Sequence, residues 1–257
     1  MITIFFALSQ EISCLKPKVN IIKKTRHANA LVYQSEFCGF PLTLVQTGMG
    51  KNAPEVIKYL SKHLRVQLMV SSGFAGSVKQ TVEIGDLVIG KHVLYSSQKT
   101  FGRDIKIEST LTCDRPFVDL AIKQSSTANI KTHCGDILTV NNIIAQSSTK
   151  KQIGDATLAI AIDMESYTIA EQANMMGIPF IVIRSISDGV NEDVEVNENM
   201  VTNHGNVNVS ATMLHLLKKP HKIPNLNRLR KQTKHAKSSL SAFFPDFITQ
   251  VYNTLLT

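Results

Sequence analysis

Between residues 157 and 189, two apolar runs flank one helical pattern, and each run ends in acid. The first run, 157–162, is apolar and partly β-branched, as a strand covered on both faces is, and Asp163-Met164-Glu165 follows it directly. Ser166 is placed to cap the next segment, in which Ile169, Ala170 and Ala173 recur at helical spacing until Gly177 and Pro179 end it. The second run, 180–186, is β-rich again and closes on Ser187-Asp188-Gly189. This pattern predicts a strand, a crossover helix and a parallel neighbouring strand. A right-handed crossover then sets Glu165 and Asp188 on one sheet edge. Open α/β sheets bind ligands just outside the carboxyl ends of their strands, so a site is expected there.

The rest of the chain adds elements to that sheet. Residues 2–8 read as a first strand, with Ser9-Gln10-Glu11 at its carboxyl end. Glu11 is either a third acid of the site or a helix-start residue drawn to the positive end of the dipole. Residues 31–38 and 41–46 predict a hairpin-like pair. Thr47-Gly48-Met49-Gly50-Lys51 then forms a glycine turn opening a helix over 52–63. That turn either cradles an anion or simply reverses the chain, and Met49 either lines a site or packs in the core. Residues 67–71 form a short buried strand, and 72–76, SGFAG, a second glycine turn on the same edge. A further strand starts near Ile84 and runs toward Tyr95. Residues 97–115 show no assignable pattern, 116–124 a helix, and 130–140 a strand around Asp136, itself a turn residue or a functional acid. Residues 190–199, rich in acid and Asn, form either a loop able to cover a ligand or a plain solvated one. Residues 207–217 are a helical candidate. From Pro224 a longer helix carries Leu226, Leu229, Thr233, Ala236, Leu240 and Phe243 at three- and four-residue spacing, with Pro245 expected to break or kink it.

Charge changes the picture at the C-terminus. The net charge is +8, and eight of the 28 Lys and Arg lie between Lys218 and Lys237 with no acid among them; the other 20 balance the 20 acids. The reading is a neutral α/β body over 1–217 with a basic helical extension over 218–257 of the same domain. The extension's apolar stripe packs on the body or meets an anionic membrane surface. Nucleic acid is excluded, because no aromatic interleaves the basic run and no recognition motif is present. Four scattered cysteines without CxxC spacing point away from disulfides and zinc, and toward a reducing cytoplasm. The histidines form no HExxH or triad pattern, so neither metal nor cofactor is expected. The opening apolar stretch has no basic flank or cleavage signal, and no run reaches the roughly 18 apolar residues of a membrane span.

Taken together, IDMES at 162–166 and RSISDG at 184–189, with Glu11, TGMGK at 47–51, SGFAG at 72–76 and GDLV at 85–88, resemble the nucleoside phosphorylase superfamily. The chain is most similar to its 5′-methylthioadenosine/S-adenosylhomocysteine nucleosidase branch, over residues 2 to 190. The resemblance implies a three-layer α/β/α sandwich around a central twisted mixed β-sheet, a homodimer, a small-molecule nucleoside substrate, hydrolysis of its N-glycosidic bond, and a place in purine nucleoside catabolism such as methionine salvage. By position, Asp188 would protonate the purine N7, Glu11 would activate water, and Met164 and Glu165 would contact the ribose, Glu165 as a carboxylate. Gly76 and Thr139 fall on binding positions, and Met49, Phe74 and Ser187 stand in the matching loops. A general acid needs an apolar or like-charged setting, which the run before Asp188 and the nearby acids lead one to expect.

The phosphate-dependent branch is disfavoured by Ser71, which stands where the hexameric phosphorylases have an arginine, and by the lack of a second arginine near residues 9–16. Three departures alter the pocket: Asp163 replaces a usual Glu, Phe74 a small polar residue, and GDILTV lacks an aromatic at its fourth position. The tail is similar to that of the hopanoid-associated subgroup, which removes adenine from an adenosyl-lipid, and this implies peripheral contact with the inner face of the membrane. A nucleoside-binding or membrane-associated protein without catalysis is the alternative of another class.

Overall fold

The computed structural model describes residues 1–48, 53–102, 104–194 and 223–256, the backbone alone for 223–226. Met49 and the rest of its glycine turn, the end of the acidic loop and the 207–217 segment lie outside the described residues. Within them the chain runs β1 (Ile2–Phe6), α1 (Ser9–Ile12), a 3-10 turn (Lys16–Lys18), β2 (Asn20–His27), β3 (Ala30–Phe37), β4 (Phe40–Gln46), α2 (Ala53–His63) and β5 (Leu68–Ser77). It continues with β6 (Leu87–Ser96), β7 (Ser109–Thr112), α3 (Arg115–Thr127), β8 (Thr132–Val140), α4 (Ser147–Ala156), β9 (Ala159–Asp163), α5 (Ser166–Met175), β10 (Phe180–Asp188) and α6 (Ile223–Leu256).

The sheet is mixed and lies between two helix layers. α5 packs on β5 and β10 with α2 beside it, while α6 packs on β10 and β5 with α3 beside it. The strand order β10-β6-β8-β9-β5-β1-β4-β3-β2 has one more pairing, between β10 and β5, so five strands close on themselves into a ring. β1, β4, β3 and β2 continue from β5 as a wing with β2 at its edge, and β7 pairs with β6. β2 is exposed along most of its length and pairs with β3 alone, so its sequence shows no alternation. β7 and α4 were equally silent: one is four residues of Ser, Thr and Leu, the other a polar segment buried at Lys150, Ile153 and Gly154.

Two expectations about the sheet need correction. β9 and β10 are not parallel neighbours, because β5 lies between them, pairing in parallel with β10 and antiparallel with β9. Residues 72–76 are not a turn but the second half of β5, kept extended by these two partners. The acidic ends meet nonetheless, for Gly76 is in register with both Ile162 of β9 and Asp188 of β10.

Of the break or kink expected at Pro245, the break does not occur, and α6 continues through it. A proline leaves the carbonyl four residues earlier without its N–H. That acceptor is Ser241 O, and Lys18 Nζ donates to it at 2.6 Å. Burial of Leu240, Phe243, Phe244, Phe247 and Ile248 holds both halves of the helix on the body. The Phe244 ring meets Phe6 edge-on at 6.1 Å, and the Tyr252 hydroxyl accepts from Ile2 N at 3.1 Å. The packing alternative for the apolar stripe is therefore the one seen at these positions.

Candidate active site

β1 runs through Ala7 and Leu8 into α1, and this short helix brings Glu11 against β5. Glu11 folds back on its own helix start: Oε2 accepts from Ala7 N at 2.9 Å and Leu8 N at 2.7 Å, while Oε1 accepts from Phe74 N of β5 at 2.7 Å. The carboxylate thus satisfies helix-start donors and also lines the cavity. Burial pushes its carboxyl above the ordinary range, opposed by the nearby Arg184 guanidinium and by the three backbone donors. Gly73, at φ +150°, makes the approach possible. A Cβ there would stand 2.6 Å from Arg184 Nη1 and closer still to Glu11 Oε1.

Asp163 ends β9, Glu165 stands at the start of α5, and both line the cavity. Asp163 points inward, where its carboxylate pairs with Arg184 Nη2 at 2.7 Å and both side chains are 1% exposed. It also accepts from Thr139 Oγ1 at 2.7 Å, from Ser166 Oγ, and from Ser166 N at 3.4 Å. Thr139 Oγ1 in turn accepts from Tyr167 N at 3.0 Å. Asp163 and Thr139 thus satisfy the first donors of α5, the capping expected of Ser166. The Ser166 hydroxyl instead accepts from Arg184 Nη2 at 2.8 Å. Thr139, 2% exposed, is a support behind the cavity wall and is not brought to its lining.

Glu165, half-buried at the start of α5, does line the cavity, as do Met164, Phe74, Gly76 and Ser187. Burial pushes the Glu165 carboxyl up to about 8, with Arg184 opposing and Asp163 and Glu11 adding to the rise.

Asp188 closes β10 after an irregularity in the ladder between Ile186 and Asp188. Its Oδ1 accepts from Ser187 Oγ at 2.8 Å. The other cavity carboxylates Glu11 and Glu165 share this wall with it, and the Lys150 ammonium of α4 meets its Oδ2. Gly76 leaves room for this carboxylate, because a Cβ would lie 2.8 Å from Oδ2. Asp136, weighed as a functional acid, faces His92 Nδ1 at 2.7 Å and takes no part in the cavity.

Arg184 and Lys150 are the residues that sequence reasoning missed. A signal existed for the first: an arginine inside the apolar run PFIVIRSIS is a buried charge that demands a partner. Lys150 stands in a polar stretch, SSTKKQ, where a lysine is ordinarily solvated.

A mixed sheet that closes into a ring, with Glu11, Glu165 and Asp188 lining one cavity, defines a class. The phosphorylase superfamily model matches residues 2–218, and the chain belongs to that superfamily. Within it, the chain is 31% identical over 198 residues to the 5′-methylthioadenosine/S-adenosylhomocysteine nucleosidase of Psychromonas ingrahamii, covering 73% of this chain and 85% of that one. It is 26% identical over 204 residues to the Staphylococcus epidermidis nucleosidase, covering 76% and 90%. Among solved structures, the Neisseria meningitidis nucleosidase in complex with methylthio-immucillin-A superposes with a TM-score of 0.75 at 18% identity, over 97% of this chain and 98% of that one. The Helicobacter pylori futalosine hydrolase gives 0.74 at 17% identity, over 97% of each chain. These two likenesses establish a shared fold.

Proposed function

We propose that this protein is an N-ribosyl hydrolase that cleaves the glycosidic bond of an adenine nucleoside and releases adenine. The observation that carries this reading is the cavity wall itself, which presents Glu11, Asp163, Glu165 and Asp188 and, among the described residues, neither Lys nor Arg. Breaking an N-glycosidic bond builds positive charge on the sugar and negative charge on the purine. Asp188 gives its proton to the purine N7 as the bond to C1′ breaks. Glu11 takes a proton from the water that attacks C1′, and a carboxyl raised toward the working pH is the stronger base for that task. Glu165 and Met164 hold the ribose, and Gly76, Phe74 and Ser187 complete the walls.

Phosphate is a poor nucleophile here. Ser71, at the position of a phosphorylase arginine, is buried and accepts from Arg184 Nη2 at 3.0 Å, away from the cavity. Arg184 itself is 1% exposed and committed to Asp163. A dianion would lack the charge-assisted contacts it needs. Incubation with methylthioadenosine, adenosylhomocysteine, adenosine and inosine, with and without phosphate, tests this. Free adenine and a free sugar at phosphate-independent rates are expected; a sugar 1-phosphate would overturn hydrolysis, and no base from any of the four would leave an adenosyl-lipid substrate or a binding role. D188N is expected to lower turnover by roughly two to four orders of magnitude, the usual span for a general acid. A folded D188N with normal turnover would sink the assignment.

Narrower readings rest on the resemblance and on the relatives: a methylthioadenosine- or adenosylhomocysteine-like substrate in methionine salvage, or an adenosyl-lipid of the hopanoid type. A homodimer, a cytoplasmic setting and a peripheral membrane contact through the basic tail belong with them. Sedimentation of the full chain decides the dimer. The basic face of α6, exposed at Arg230, Lys231 and Lys234, supports the membrane contact. Among the described residues no helix is long and apolar enough to cross a membrane.

A further inference from the structure

Behind Asp188 sits an ammonium with no exposed surface. Lys150 is fully buried, and its three N–H donors meet three acceptors: Asp188 Oδ2 and the carbonyls of Gly189 and Glu192, the last two at 3.1 Å. The pair is one-sided. The lysine side chain is 0% exposed and stays off the cavity lining, whereas Asp188 is 14% exposed and forms part of it. The cage is held from outside as well. Glu192 accepts from Gly189 N at 3.2 Å and from Gln232 Nε2 of α6 at 2.9 Å.

We propose that Lys150 is a positioning residue for the reaction: it holds the Asp188 side chain toward the cavity and stabilises the carboxylate left once the proton has passed to the purine. The proposal rests on the reading of Asp188 as the acid. When the C1′ to N9 bond breaks, its electron pair goes to the purine and the Asp188 proton to N7, so a negative charge forms in contact with the ammonium. That charge pairing strengthens as the transition state is reached, which is the condition for catalysis rather than uniform binding. Removing the lysine alone leaves the carboxylate and two carbonyls without their donor and is costly for a structural role too, whereas a role exerted through Asp188 disappears once that acid is removed. The two roles therefore separate experimentally.

The test is a double-mutant cycle on adenine release from methylthioadenosine, using K150M, D188N and the double variant. K150M is expected to lower kcat roughly 10- to 100-fold, the scale of a misplaced catalytic group, with KM within about threefold, and K150R to recover part of the loss. In the D188N background the same substitution should cost less than about threefold, because no acid remains to position. Equal losses in both backgrounds, or an undiminished kcat in K150M, overturn the proposal for Lys150 alone. Wild-type turnover in D188N overturns the assignment of Asp188 and this proposal with it. If K150M is unfolded by circular dichroism, K150Q, which keeps a donor for the two carbonyls, carries the same cycle.

Discussion

Glu165 shows how one side chain can serve the site at a cost to the fold. A carboxyl whose folded value is raised from the ordinary 4.5 to about 8 binds a proton more tightly in the folded than in the unfolded chain. Its contribution is thus fully present below 4.5, shrinks as pH rises, and reaches its lowest level above 8. E165Q, which cannot ionise, is expected to unfold like the wild type near pH 4.5. By pH 9 it should be more stable by on the order of 2 to 4 kcal/mol, read from urea denaturation at the two pH values. A gap that did not widen with pH would remove the assigned cause. The same scale explains the two glycines of SGFAG. Gly73 yields space to Glu11 and Arg184, and Gly76 to Asp188, so each bare backbone position matches one proposed catalytic acid. The acids themselves were legible as charges at the ends of apolar runs. Their partners were not, because Arg184 finds Asp163, and Lys150 finds Asp188, across gaps that no local pattern spans.

At the scale of elements, local rules held where burial followed the chain and failed where a distant partner compensated. The apolar runs of β1, β3, β4 and β10 read correctly because each is largely buried. β2, nearly all exposed, carried no such pattern. Pro245 reads locally as a helix breaker, yet α6 passes through it with the Lys18 ammonium on the orphaned Ser241 carbonyl. That exchange predicts a coupling. K18M should cost about 1 kcal/mol in urea unfolding, the net worth of one hydrogen bond. In a P245A background, where the backbone N–H returns, K18M should cost little. Equal costs in the two backgrounds would show that Lys18 does not stand in for the missing donor.

Over the whole molecule, α6 brings together tasks that the sequence had kept apart. Its apolar face closes the layer over β10 and β5, Gln232 steadies the segment behind Asp188, and its basic residues face outward. A chain ending before Ile223 would expose Phe243, Phe244, Phe247 and Ile248 sites on the sheet. It is expected to aggregate or to lose a cooperative transition, monitored by thermal unfolding. Truncation is consequently the wrong probe of membrane contact. Reversing Arg230, Lys231 and Lys234 to Glu should leave folding within about 1 kcal/mol, as exposed substitutions do. Co-sedimentation of that variant with anionic vesicles equal to the wild type would dismiss the membrane reading.

The order of apolar runs, the acids at their ends and the stripe on α6 follow from the sequence alone, since hydrophobic periodicity reports burial within each element. Tertiary structure decided what faces what. Strand β5 extends between β9 and β10 instead of turning, the ring closes, and register at Gly76 brings Ile162 and Asp188 to one point. Only then does a lysine from a polar helix meet one acid and an arginine from a buried strand another. The reason is physical: a buried charge is tolerated where an opposite charge and hydrogen bonds meet it, and which partner arrives is a property of the packed chain.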